Sequence, residues 1–559
     1  MYSNYLKQTI MMKKYIKPVC GAFLLVALIG FTSCEKMLNT DLEDAVPEDK
    51  NYQNDFDSRS AVLGAYGQYL ALADQYVVLN ELRGDLMDVT ANASKDLVEI
   101  NRHNVSSTNA YADATPFYKV ILTCNDAAKH LLVMEEENRT STFDRDYSEI
   151  VGLRCWIYYQ LAIHYGKVPY ITEPIEDVND LDLNSYPELS LDVMVDTLIN
   201  TLLRLPKLGQ SDYGTANGYN ISRDFVSKYL LLADLYLWQG NYWFAAYYYR
   251  SEMEGSDNAH RFMKFKCDGT FGYTISTNIN KWNIIFDIKN QEASTLANEW
   301  KWYFVYEKDF NITNGLLDLL SYSYGKYQIK PSQLSIDNWG AQVLTNGSVG
   351  DIRGNGSSWE YDNGMPVAKK YLYSVTSTAD KDRDIFIYRA GNFHLRFAEA
   401  ANLLGQPDVA LGIVNGKVYT DSACMNNANP VFNFNETFVA TYWNDQFRDN
   451  KGVRGRVSLM PVTIPQQNSL EDSIDFVQKI IFNEDALELA YEGHRWPDYL
   501  RFALRMNRMK AGSGTEFLAN GIARKFEQAG QPGVAAEVRS RLMNPDNWYL
   551  PLLRKKGNK

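Results

Sequence analysis

Cysteine and histidine are scarce in this chain of 559 residues, six of each. The cysteines are Cys20, Cys34, Cys124, Cys155, Cys267 and Cys424, widely spaced and without a CxxC, so no disulfide framework is legible. The histidines (His103, His130, His164, His260, His394 and His494) form no HExxH and no other ligand-like spacing. That argues against a bound transition metal, and no cofactor is expected. Positive charge is also short. Lys and Arg number 56 against 68 Asp and Glu, a net charge of −12, which disfavours nucleic acid as a partner. Beyond the first forty residues no apolar run is long enough to cross a bilayer.

What the chain has in abundance is aromatic side chains: 38 Tyr, 25 Phe and 11 Trp, or 13% of all residues. Hydrophobic content of 45% and a mean hydropathy of −0.34 describe a soluble globular body.

The amino-terminal residues carry an address. Met12-Lys13-Lys14 is basic, Val19 to Phe31 is apolar, and Thr32-Ser33-Cys34-Glu35 follows. Basic start, short apolar core and a small residue before the cut form a secretory signal, and the core falls short of the ~20 residues of a membrane-spanning helix. A cysteine directly after the small residue marks a lipoprotein signal, with Cys34 as the lipidated first residue of the mature chain. Met1 to Ile10 reads as upstream sequence, with Met11 or Met12 the expected start. About 525 residues remain, enough for roughly two to four domains.

Helical periodicity runs through 55–86, 117–134 and 147–165, where Gly166 closes the helix. Ala233, Gly240 and Ala245 repeat the spacing of Ala398, Gly405 and Ala410. Small residues let two antiparallel helices approach and the glycine turns the chain, so each set predicts a tetratricopeptide-type helical hairpin. Asp88 to Asp113 is polar and reads as an exposed loop or crossover. Between Cys267 and Met365 helical period fades. Trp282 to Asp287 reads as a short strand, and five tryptophans (282, 300, 302, 339, 359) fall in this window. Phe476 to Leu489 is again amphipathic.

In this order the pieces resemble the SusD/RagB family of outer-membrane lipoproteins from Bacteroidota. The resemblance rests on Cys34 with the tether Leu38 to Pro47, on Leu153-Arg154 through Gly166-Lys167-Val168-Pro169, and on Arg389-Ala390 through Leu395-Arg396-Phe397-Ala398-Glu399-Ala400 with Gly405. It continues in Glu492-Gly493-His494-Arg495-Trp496 with Asp498, and in Leu550-Pro551. Pro497 and Leu552 depart from the pattern. The resemblance implies a mainly α fold, a tetratricopeptide-like scaffold of helix pairs carrying an irregular binding lobe. It implies a non-enzymatic cell-surface protein that captures oligosaccharide, or in some branches peptide, as a lid on a SusC-type TonB-dependent transporter. The expected divisions are 1–33 signal, 34–54 lipid-anchored tether, 55–266 N-terminal helical region, 267–365 loop-rich ligand lobe and 366–559 C-terminal region.

Sugar rings present flat C–H faces and hydroxyl edges, so loop aromatics and amides are the candidate ligand contacts. By residue type and loop location these are Trp282, Trp300, Trp302 and Trp339, with Asn101, Asn104 and Tyr111. Trp156, Trp238 and Trp243 lie on helical faces and are expected in the core. Arg495, Trp496 and Asp498 read as a packing device, a cation over an indole paired with a carboxylate. Glu488 and Glu492, four residues apart beside His494, are the one arrangement that invites acid–base catalysis. Yet a hydrolase pair must flank a cleft from opposite sides. His394 reads as a satisfied core histidine. The rival readings are a surface glycoside hydrolase and a tetratricopeptide-type adaptor that binds only protein.

Overall fold

Leu191, Met194, Val195, Leu198, Ile199 and Leu202 are buried along one helix, and that spacing of apolar residues builds most of this fold. The computed structural model describes residues 54–137, 141–175, 185–209, 213, 215–216, 219–253, 282–287, 299–418, 420–435, 451–466 and 469–552. The signal, Cys34 and nearly all of the tether lie outside them, as do Cys20 and Cys267. Ser58–Lys559 forms one compact unit.

The helices are α1 (Asp55–Tyr69), α2 (Lys95–Asn101), α3 (Thr115–Glu137), α4 (Ser141–Tyr165), α5 (Leu191–Leu203), α6 (Lys228–Gln239) and α7 (Tyr242–Met253). They continue with α8 (Gln333–Gly340), α9 (Ala390–Leu403), α10 (Pro407–Asn415), α11 (Leu470–Glu488), α12 (Arg495–Met509), α13 (Ser513–Gln528) and α14 (Pro532–Leu542). Shorter turns lie between them. Consecutive helices pack as antiparallel neighbours: α3 on α4, α6 on α7, α9 on α10, α12 on α13 and α13 on α14. α7 packs on α9 and so joins two pairs. The two predicted hairpins are present. Ala233, Ala245, Ala398 and Ala410 are fully buried at the helix contacts. Gly240 and Gly405 make the turns with φ of +88° and +78°, a backbone state that costs glycine little.

The strands are short and pair antiparallel. β1 (Met87–Val89) pairs with β5 (Ile329–Pro331), and β2 (Lys167–Pro169) with β3 (Glu188–Ser190). β4 (Trp300–Phe304) pairs with β8 (Ile385–Arg389), and β6 (Trp359–Asp362) with β7 (Met365–Ala368). The β1–β5 and β4–β8 ladders tie residues 299–365 to segments before and after them. Trp302 of β4 reaches deepest, stacking near Tyr69 at 6.3 Å and meeting Trp156 edge-on at 5.1 Å.

Several expectations are corrected. Residues 283–286 form one helical turn rather than a strand, because Trp282, Ile285 and Phe286 share the i, i+3, i+4 face. A short apolar run does not by itself separate the two states. Asp88 to Asp113 is an ordered part of the fold that includes β1 and α2, with Asn101, His103 and Asn109 buried. The cation over the Trp496 indole is Arg83, at 3.8 Å, not Arg495. Arg495 instead lies over Phe482 and pairs with Asp85 at 2.6 Å. Asp498 pairs with Arg396 and Arg501. Trp156 and Trp238 are core residues as expected, whereas Trp243 is 40% exposed on α7. Cys124 and Cys155 are free buried thiols, each pushed up to about 12 by burial. His394 is buried, with Nδ1 at 2.8 Å from the Ala390 carbonyl.

Candidate ligand-binding site

The four tryptophans expected to offer open platforms are core residues instead, each 3% exposed or less. Trp282 and Trp300 pack with Ile285, Phe386, Val457 and Leu459. Trp300 Nε1 donates to the Ile285 carbonyl, and Trp339 Nε1 to the Leu487 carbonyl at 3.0 Å. The physical reason is supply of apolar area. A lobe with few regular elements cannot bury a helix face, so its largest rings make the core. Asn101 is also internal. Its amide donates to Asp88 at 2.8 Å and accepts from Lys525 at 2.7 Å. Asn104 is exposed and Tyr111 is half-buried, its hydroxyl pushed up to about 12 by burial and then by Asp74. They share no open surface with the four tryptophans, which are buried.

Among the described residues of the lobe, the open aromatic side chains are Phe310, 73% exposed, and three tyrosines. Tyr322, Tyr324 and Tyr361 are 42%, 36% and 60% exposed. Two segments carry them. One is the turn that follows the helical turn Leu316–Leu320. The other is the β6–β7 hairpin, whose Asn363–Gly364 tip has φ of +51° and +84°, the pattern a tight hairpin turn demands. A single carboxylate joins the segments. Asp362 accepts the Ser323 N–H at 2.9 Å and the Ser323 hydroxyl at 2.5 Å, and the Asn363 amide donates to both Asp362 and Ser323 at 3.1 Å. Ser323 lies between Tyr322 and Tyr324, and Asp362 follows Tyr361, so this clamp ties the turn that carries two of the exposed tyrosines to the hairpin that carries the third.

Buried rings support them from below. Tyr327 meets Tyr322 edge-on at 5.4 Å, and Trp359 meets Tyr361 edge-on at 5.2 Å. Edge contacts hold a ring without covering both of its faces. The Tyr327 hydroxyl donates to the Pro366 carbonyl at 2.8 Å and so locks the turn to the hairpin. Tyr327 itself holds φ of +49°, a left-handed state that a bulky residue adopts at a cost of ~1–3 kcal/mol. Thr90 and Asn92 line the flank, donating to the Tyr327 and Lys326 carbonyls. The arrangement offers flat faces, phenol hydroxyls and amides.

α7 carries a second exposed aromatic set, Trp243, Phe244 and Tyr247. There Trp243 stacks on Tyr247 at 5.6 Å and Tyr236 stacks on Phe244 at 5.0 Å, so ring faces are spent on one another.

Glu488 and Glu492 do not face a cleft. Burial alone would raise the Glu488 carboxyl, but Arg456, Arg389 and Arg353 hold it below the usual range. Glu492 is held low against the same burial by Arg389 and Lys370. Arg389 binds both, at 2.7 and 2.5 Å. Among the described residues no group of three or more His, Cys, Asp or Glu is placed to hold a metal ion.

Comparison with known proteins bears on this geometry. Residues 322–558, which contain all three tyrosines, match the model of the SusD family. This C-terminal stretch is thus similar to that family. The chain is 22% identical over 535 residues to SusD-like protein P38 of Formosa agariphila, covering 88% of this chain and 92% of that one. Its fold is similar to a SusD superfamily protein from Bacteroides vulgatus, with a TM-score of 0.58 at 14% identity over 85% of this chain and 93% of the other. A SusD superfamily protein from Bacteroides thetaiotaomicron gives a TM-score of 0.56 at 18% identity, with 85% and 96% covered. A SusD-like carbohydrate binding protein from Bacteroides vulgatus gives 0.54 at 16%, with 80% and 83% covered.

Sequence reasoning missed the tyrosines because it weighted tryptophan. The signal was available. Trp359-Glu360-Tyr361-Asp362-Asn363-Gly364 is an alternating strand running into an Asn-Gly turn, which places Tyr361 near a hairpin tip.

Proposed function

We propose that this SusD-like chain is a cell-surface binding protein that captures oligosaccharide on the Tyr322–Tyr324–Tyr361 platform and passes it to a SusC-type TonB-dependent transporter. Cys34 carries the lipid that holds it on the outer membrane. The role is binding without catalysis. The exposed tyrosines on two clamped segments are the observation that supports it: open rings suit the C–H faces of sugar residues, and phenol hydroxyls and nearby amides such as Asn363 suit their hydroxyl groups. A carbohydrate-binding relative of the same fold supports the ligand class. Glu488 and Glu492, each engaged by buried cations, speak for binding rather than turnover.

Native gels containing polysaccharide test the first half. Retardation of the purified chain that is lost in Tyr322→Ala and Tyr361→Ala supports capture at the platform. Heat with peptide mixtures and no retardation by any polysaccharide moves the chain to peptide capture. Detergent extraction of native membranes tests the second half. Recovery of no large β-barrel protein with the chain removes the transporter partner, and membrane release of Cys34→Ala is expected if that residue carries lipid.

A further inference from the structure

We propose that Asp485 of α11 carries a proton in the folded chain at neutral pH, so that the packing of α11 against α9 and α12 weakens as the pH rises. This holds whatever the chain binds.

Asp485 is 2% exposed, and neither of its carboxyl oxygens meets a hydrogen-bond donor among the described residues. An ionised carboxylate in that position is costly, whereas the neutral acid loses far less on leaving water. The acids around it are better supplied. Asp498 of α12 pairs with Arg396 of α9 and, at 3.1 Å, with Arg501. Glu399 of α9 pairs with Arg501 at 2.5 Å and with Arg505 at 2.9 Å. Asp234 of α6 accepts the hydroxyls of Tyr249 and, at 2.7 Å, of Tyr388. Burial raises Asp234 too, but Arg396 and these hydroxyls oppose it. Four acids (Asp234, Glu399, Asp485, Asp498) thus share three cations (Arg396, Arg501, Arg505), and Asp485 is the one with neither a donor nor an ion pair.

The other charged groups that reach α11 are engaged or turned to water. Arg353, Arg454 and Arg456 bind Glu484 and Glu488, and Arg495 binds Asp85. Asp337 of α8 and Asp408 of α10, the other helices packed on α11, are exposed. His494, at the start of α12, is drawn down to about 4 by burial and then by Arg396, so it is neutral at pH 7.

Burial, then the charge of Asp498, pushes the Asp485 carboxyl well above the usual carboxylate range, against Arg396. Asp498 goes the other way, held below that range by Arg396 and Arg501 against its own burial. Two acids beside the same arginines ionise in turn, and the pair keeps one proton. The unfolded chain releases that proton near the ordinary value of about 4, and the folded chain holds it above that. Stability from the group is therefore fully present below about pH 4 and is lost as the pH rises through the folded value.

Urea unfolding of the parent and of Asp485→Asn at pH 5, 6, 7 and 8 tests this. An amide has the size of a neutral carboxyl and does not titrate. The variant is expected to fold, and the parent's unfolding constant should rise relative to the variant's by about tenfold per pH unit above 5, until the folded chain also gives up the proton. Asp498→Asn strands Arg396 and should raise the unfolding constant about a hundredfold or more at pH 7. A parent-to-variant ratio that stays constant with pH places the proton elsewhere in the cluster and overturns the assignment. A ratio that falls with pH, or an Asp485→Asn chain that fails to fold at pH 7, shows that the interior requires the ionised carboxylate and overturns it as well. A smaller loss in Asp498→Asn than in Asp485→Asn would exchange the roles of the two acids and overturn it too.

Discussion

Asp362 and Ser323 are 39 residues apart, yet the carboxylate of one holds both the backbone N–H and the hydroxyl of the other, at 2.9 and 2.5 Å. The two residues are clamps for the rings on either side of them, not ring surfaces themselves. Asp362→Ala should therefore weaken glycan binding about tenfold, since hydrogen bonds to a charged group contribute ~1.5–3 kcal/mol and their loss lets the turn and the hairpin part. The fold should survive, because the clamp sits at the surface. Asp362→Asn keeps acceptor oxygen and should recover part of the affinity. Calorimetric titration of both variants with the retarding glycan checks this. Equal loss in Ala and Asn would mean the carboxylate acts on ligand by charge instead.

Aromatic residues in this chain divide into structural and ligand-facing sets, and alanine substitution should separate them. Trp302→Ala removes a fully buried ring that touches Tyr69, Trp156 and Tyr388, and should cost ~3–5 kcal/mol of stability. Tyr361→Ala removes a ring that is mostly in water and should change stability by ~0.5 kcal/mol or less. Denaturant midpoints and glycan titrations on the two variants should show opposite profiles. A Trp302→Ala protein that is as stable as the parent and fails to bind would return that tryptophan to the ligand site.

The scaffold was more legible than the site, for a physical reason. Ala233-x6-Gly240-x4-Ala245 states a close helix approach and a turn in three residues, and backbone geometry allows few other readings. The same held for Ala398, Gly405 and Ala410. Exposure of a loop aromatic has no such local signature. Trp282 and Trp300 are buried because of Phe386, Val457 and Leu459, residues 86 or more positions later, and nothing near the tryptophans announces them. Tyr361 differs only because a hairpin tip is a local feature that keeps neighbouring side chains near solvent. The Asp362–Ser323 clamp, like the Arg83–Trp496 contact, joins distant segments and had no sequence signal at all.

Arg389 links the irregular lobe to the C-terminal signature from a position with no solvent access. It binds Glu488 and Glu492, which are also shared with Arg353, Arg456 and Lys370. Desolvation makes such pairs costly to assemble, and removing one member strands the others. Arg389→Ala should therefore lose ~3–5 kcal/mol, far more than a surface pair is worth. Thermal unfolding of the variant gives the answer directly. A shift of only a degree or two would mean that water enters and takes over the guanidinium's role.

His494 makes the acid side of the stability curve predictable. Burial, then the charge of Arg396, draws this histidine down to about 4 from its usual 6.5. Its Nε2 has no hydrogen-bond partner, so the folded state gives an added proton nothing to bind. Below pH 6.5 the unfolded chain takes up a proton that the folded chain refuses, and mass action favours unfolding. The contribution is thus fully present above 6.5 and is lost as the pH falls toward 4. His494→Gln does not titrate, so comparing it with the parent isolates this one group from the buried carboxylates around it. The parent should lose about 1.4 kcal/mol relative to the variant for each pH unit between 6.5 and 4. Urea unfolding of both proteins at pH 7, 6 and 5 measures the difference. Curves that stay parallel across that range would show that the folded protein protonates His494 as readily as the unfolded chain does, and that the site is wetter than its burial implies.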